Sequence, residues 1–94
     1  MDYQAERGSE GLWKVIVVED NEIVRESICK KIPWSSLEIE ISSSFKDGKS
    51  AWDYMQEKQV DLVISDIVMP LMSGIDLAQN IFKNELSIKI ILIS

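Results

Sequence analysis

A chain of 94 residues holds at most one small domain. A hydrophobic share of 46% excludes wholesale disorder, and a net charge of −6 without histidine excludes a general nucleic-acid surface, the usual zinc ligand and the usual general base. The single cysteine, Cys29, rules out an internal disulfide and suits a reducing cytoplasm, and no apolar run approaches membrane-spanning length.

Residues 1–11 are polar, contain Gly8 and Gly11, and lack the basic-then-apolar order of a signal peptide. They read as a loose leader outside the fold. Trp13 to Val18 predicts a first strand, because Val15, Ile16, Val17 and Val18 form a continuous apolar run. It ends in Glu19-Asp20-Asn21, a sequence that also suits a helix start. Glu22 to Ile32 predicts the first helix, with Val24, Ile28 and Ile32 on one face, Cys29 packed near it, and Pro33 as its stop. Trp34 to Glu38 is a connection. Ile39 and Ile41 alternate with Glu40 and Ser42, which predicts a short strand at a sheet edge. Lys46-Asp47-Gly48 signals a turn, and Lys49 to Gln59 a second helix that buries Ala51, Trp52 and Met55. Leu62 to Asp66 is a third strand, closed by a loop that Pro70 and Gly74 mark. A third helix follows from about Ile75 to Asn84, with Ala78, Ile81 and Phe82 inward. Ile88 to Ile93 is a fourth strand. The alternation β-α-β-α-β-α-β predicts an α/β, doubly wound fold: a parallel sheet with helices on both faces.

Two buried strands end in acid: Val18 runs into Glu19-Asp20, and Ile64-Ser65 into Asp66. In a parallel sheet both ends lie on one edge, where open α/β sheets place their ligands. Three converging carboxylates repel and raise one another's pKa, and a hard dication relieves this. Mg²⁺ fits, since it takes oxygen ligands and bridges to phosphates, and the Val68 carbonyl is a further candidate ligand. Asp66 is the candidate nucleophile, because a carboxylate that attacks phosphorus gives an aspartyl phosphate. The Ser94 hydroxyl reaches the same edge, where it either hydrogen-bonds a phosphoryl oxygen on Asp66 or stays solvated. Asp47, Asp53, Asp61 and Asp76 read as turn or surface residues.

These segments, Val15 to Asn21, Asp47-Gly48 with Ala51, Asp66-Ile67-Val68-Met69-Pro70 with Ser73-Gly74, and Ile90 to Ser94, together resemble the receiver domain of bacterial two-component response regulators. The resemblance covers nearly everything after the leader, residues 12–94. It implies a flavodoxin-like fold with Asp66 as phosphoacceptor and with Glu19, Asp20 and the Val68 carbonyl as partners of Asp66 in holding Mg²⁺. It also implies Ser94 as the hydroxyl that follows the phosphoryl group. The partner it implies is a sensor histidine kinase, and the setting is a cytoplasmic transcription regulator. Ile32-Pro33-Trp34 with Leu37 resembles the connection in receivers that precede AraC-type helix-turn-helix domains, so DNA contact is expected only through a domain absent from this chain.

The family pattern also includes a lysine on a fifth strand and two further helices that lie beyond Ser94, so the receiver reads as incomplete at its C-terminus. Ile88 to Ile93 then becomes an apolar edge strand, and a homodimer or swapped assembly is expected. Two other functions compete. A Mg²⁺-dependent phosphohydrolase built on an aspartyl phosphate resembles Asp-x-Asp at its nucleophile, whereas Val68 stands two residues after Asp66. A phosphorylation-independent pseudo-receiver needs none of the three acids.

Overall fold

The computed structural model describes residues 12–93. The expected leader and Ser94 lie outside the described residues. Four parallel strands form one sheet in the order β2-β1-β3-β4: β1 (Trp13–Val18), β2 (Ile39–Phe45), β3 (Leu62–Asp66) and β4 (Lys89–Ile93). Three helices connect them: α1 (Glu22–Lys31), α2 (Gly48–Met55) and α3 (Gly74–Lys83). The doubly wound fold expected from the alternation is the one observed.

The central strands are the continuous apolar runs. Val15 to Val18 of β1 are all fully buried, as a strand covered on both faces requires. Side chains alternate across the sheet. Ile16 and Val18 of β1 and Val63 of β3 pack with Ala51 and Met55 of α2 and with Leu77 and Ile81 of α3. Val15 and Val17 face the opposite side, where α1 lies against β1 and β2. Each helix starts on a side-chain cap, worth about 1 kcal/mol. The caps are Asn21 for α1, Asp47 for α2 and Ser73 for α3, and Ser73 completes a reciprocal capping box with Asp76.

Several local expectations need correction. No residue of α1 is buried, and Val24 and Ile32 are 41% and 39% exposed, because α1 contacts β1 and β2 through few residues. α1 ends at Lys31, and the chain from Trp34 to Leu37 forms a 3-10 turn. This turn is tied back to α1 by the Trp34 indole N–H, which donates to the Ile28 carbonyl at 2.8 Å. β2 is an edge strand as expected, but runs on to Phe45. α2 stops at Met55, short of Gln59. In α3 the inward face is Gly74, Leu77 and Ile81, and Phe82, expected inside, is 86% exposed. Asp47 and Asp61 are not surface residues. Asp47 is buried beneath the α2 N-terminus, and the half-buried Asp61 accepts the Lys14 amide at 2.7 Å, joining β1 to the start of β3. No helix among the described residues is long and apolar enough to cross a membrane.

Candidate functional site

β1 and β3 are hydrogen-bonded neighbours, with Val18 paired to Ser65. The chain leaves β1 towards β2 on one side, while β3 lies on the other. The C-terminal ends of β1 and β3 therefore frame the point where the winding reverses, the ligand-binding position of open α/β sheets. Glu19 and Asp20 leave the end of β1, and Asp66 closes β3. One carboxylate oxygen from each of the three lies within 4.8 Å of the others. Glu19 is buried, Asp66 half-buried and Asp20 exposed, so the cluster opens outward at Asp20.

Each acid is held differently. The Glu19 amide donates to the Phe45 carbonyl on β2 at 2.9 Å, and its carboxylate accepts the Asn21 amide at 3.1 Å. Its backbone carbonyl accepts Arg25 Nη1 at 2.7 Å, so the first turn of α1 clamps the acidic pair from below. Asp66 accepts the Ile67 amide through Oδ1 at 2.7 Å. Its second oxygen makes no hydrogen bond among the described residues, and is free to meet a ligand. Sequence reasoning missed Arg25 and Asn21 as supports. Asn21 was legible as a cap, but the contact of Arg25 with a carbonyl leaves no pattern in the residue types.

Burial pushes the Glu19 carboxyl above its ordinary value. The Asn21 amide works against that rise, while the charge of Asp66 and both the contact and the charge of Asp20 add to it. The site is short of positive charge. Three oxygen donors at this separation fit a hard dication such as Mg²⁺, which prefers carboxylates and water.

The loop after Asp66 is held by short-range bonds. The Gly74 amide donates to the Ile67 carbonyl at 2.8 Å, and the buried Ser65 hydroxyl donates to the Asp66 carbonyl at 2.8 Å. A Cβ on Gly74 would run into the Asp66 carbonyl oxygen and the Leu92 side chain. Gly74→Ala is therefore expected to shift the end of β3. Urea unfolding should show a loss of about 1–3 kcal/mol, the usual range for overpacking. Val68, the candidate for a backbone ligand, follows in this loop with its side chain exposed. Ser94 lies outside the described residues.

The family model of the response regulator receiver domain matches residues 15–94. The chain belongs to the response regulator receiver family. Similar receivers occur in an uncharacterized response regulatory protein of Staphylococcus epidermidis, 35% identical over 83 residues, and in the transcriptional regulatory protein HptR of Staphylococcus aureus, 37% identical over 70. The matches cover 88% and 74% of this chain but only 32% and 28% of those proteins, so the chain spans about a third of their length. Two solved receivers share the fold. One is the receiver domain of AraT, a response regulator from Geobacillus stearothermophilus (TM-score 0.76, 28% identity, covering 86% of this chain and 64% of that one). The other is a LuxR-family DNA-binding response regulator from Staphylococcus aureus (TM-score 0.78, 30% identity, covering 86% and 67%). Within this receiver, Asp66 stands alone at the end of β3 while Glu19 and Asp20 share the end of β1.

Proposed function

We propose that this receiver is the phosphoacceptor of a two-component system, with Asp66 as the residue that takes the phosphoryl group. The observation that carries this reading is the meeting of Glu19, Asp20 and Asp66 oxygens within 4.8 Å at the sheet's C-terminal edge. The free oxygen of Asp66 attacks phosphorus in line with the leaving group. A new O–P bond forms, the bond from phosphorus to the donor's nitrogen or oxygen breaks, and its electron pair leaves with the donor. Glu19, Asp20 and Asp66, with the Val68 carbonyl, would hold Mg²⁺, which would supply positive charge to the phosphoryl oxygens. Ser94 offers its hydroxyl to one of them.

The donor is a sensor histidine kinase in the cytoplasm. Residues 12–94 act as the receiver unit, and transcription control and DNA contact belong to a further domain, of the AraC type. Among the described residues β4 is an edge strand with Ile91 49% exposed. The relatives are named as regulatory proteins, and that favours a switch over an enzyme. The phosphohydrolase reading lacks its second acid, because Val68 occupies that position and points into solvent. The pseudo-receiver reading leaves the three converging acids without a purpose.

Acetyl phosphate tests the reading. The intact protein should incorporate phosphate with Mg²⁺ and not with a chelator, and hydroxylamine should release it, as an acyl phosphate requires. Label that forms without metal, or resists hydroxylamine, rules the mechanism out.

A further inference from the structure

Beside the three acids lies an open notch of about 350 Å³, lined by Asp20, Lys46, Asp47, Pro70 and Leu71. It lies between the turn that precedes α2 and the loop that follows β3. Asp20 belongs both to the acidic cluster and to this notch, so the notch opens directly onto the site. Its far wall is apolar: Leu71 is 79% exposed, held at φ 70° over a tight turn in which the Met72 amide donates to the Pro70 carbonyl at 2.7 Å.

Lys46 is the one cation in this lining. The adjacent Asp47 is not its partner. The Asp47 carboxylate accepts the Ser50 amide at 2.7 Å and the Ser50 hydroxyl at 3.2 Å, and is committed to capping α2. The Lys46 side chain makes no hydrogen bond or ion pair among the described residues. A solvated lysine on a loop is ordinary. A lysine that shares a notch with the outermost acid of a carboxylate cluster has an electrostatic consequence, because the approaching phosphoryl group is an anion entering a negative field.

We infer that Lys46 is a donor-recognition residue, which draws the anionic phosphoryl end of the phosphodonor into the notch beside Asp20 and so raises its rate of arrival at Asp66. This rests on the phosphoacceptor reading and adds to it a residue that transfers nothing and holds no metal. The effect is long-range attraction, so it acts on encounter and is screened by salt.

The experiment measures the second-order rate of labelling of the intact protein by acetyl phosphate at saturating Mg²⁺, at low and high ionic strength. At low ionic strength Lys46→Ala should label about threefold to tenfold more slowly than wild type, the order expected for the loss of one unit charge beside the path of an anion. Lys46→Glu should be slower still, and Lys46→Arg should retain the wild-type rate. High salt should narrow all of these differences, which a merely structural role does not predict. Phosphoramidate, which shares only the phosphoryl group with acetyl phosphate, should show the same order of variants. Mg²⁺ affinity should not weaken in Lys46→Ala, since a nearby cation has been removed. If Lys46→Ala matches wild type at low salt, or its deficit is unchanged at high salt, the inference fails while the phosphoacceptor reading stands. If wild type takes no label that Asp66→Ala abolishes, both fall together.

Discussion

Replacing Asp66 by alanine is expected to abolish phosphoryl incorporation without unfolding the protein. Asp66 combines what the transfer needs. It closes a strand between two neighbours: Ser65 before it pairs with Val18 of β1, and Asp66 itself pairs with Ile93 of β4. Its Oδ1 is held by the Ile67 amide at 2.7 Å, which fixes the carboxylate plane and leaves the other oxygen to react. Asp20 is more exposed, but it leaves the β1 end on a loop. Glu19 is buried and its carboxylate already accepts the Asn21 amide at 3.1 Å, so it is less accessible to an incoming phosphoryl group. Asp66 contributes little to the core, whereas its charge opposes those of Glu19 and Asp20. The metal-free Asp66→Ala protein should therefore melt at or above the wild-type temperature while its label falls to background. Label at the wild-type level in this variant assigns the chemistry to another side chain.

The second large effect concerns the metal and pH together. Burial and two neighbouring carboxylates raise the Glu19 pKa above its ordinary value of 4.5. The metal-free folded state therefore binds the Glu19 proton more tightly than the unfolded chain does. Its contribution to stability is present below the unfolded value and is lost as pH rises through the folded one. Metal-free stability should thus decline from about pH 4.5 upward in that window, and Glu19→Gln should flatten the decline. A Mg²⁺ ion held by these acids would need the cluster ionised, so its stabilisation should grow over the same interval. At a hundredfold excess over its dissociation constant a ligand adds about 2.7 kcal/mol. Asp20→Asn keeps the shape and removes one charge, and should weaken Mg²⁺ at least about tenfold, equivalent to roughly 1.4 kcal/mol. Thermal melts across pH, with and without Mg²⁺, read all of these shifts. Equal Mg²⁺ affinity in wild type and Asp20→Asn would place the metal elsewhere.

The parts of this molecule that were legible in its sequence are those in which one signal acts alone. β1 and β3 carry continuous apolar runs, Val15 to Val18 and Leu62 to Ile64, as strands buried on both faces do. Their acids could be placed on one edge because parallel strands share their C-terminal side. The phase of α3 was not legible. Ala78, Ile81 and Phe82 fit a helical face as well as Gly74, Leu77 and Ile81 do. The choice is made by the Ser73–Asp76 capping box and by Gly74, which must sit against the Asp66 carbonyl. Once Gly74 faces the sheet, Leu77 follows it inward and Phe82 turns outward. Asp47 misled for a similar reason. A turn acid is normally solvated, yet this one caps α2 where Gly48 packs tightly against the Met72 carbonyl, and the close approach buries both. Arg25 escaped notice because its partner is a backbone oxygen six residues away.

Peptide mapping by mass spectrometry, after exposure of the intact protein to acetyl phosphate and Mg²⁺, tests the central claim most directly. The account predicts one added phosphoryl group, on the fragment that contains Asp66, absent when a chelator replaces Mg²⁺ and removed by hydroxylamine. A phosphoryl group on the fragment that holds Glu19 and Asp20, or modification at Asp66 that proceeds equally well without metal, would contradict it.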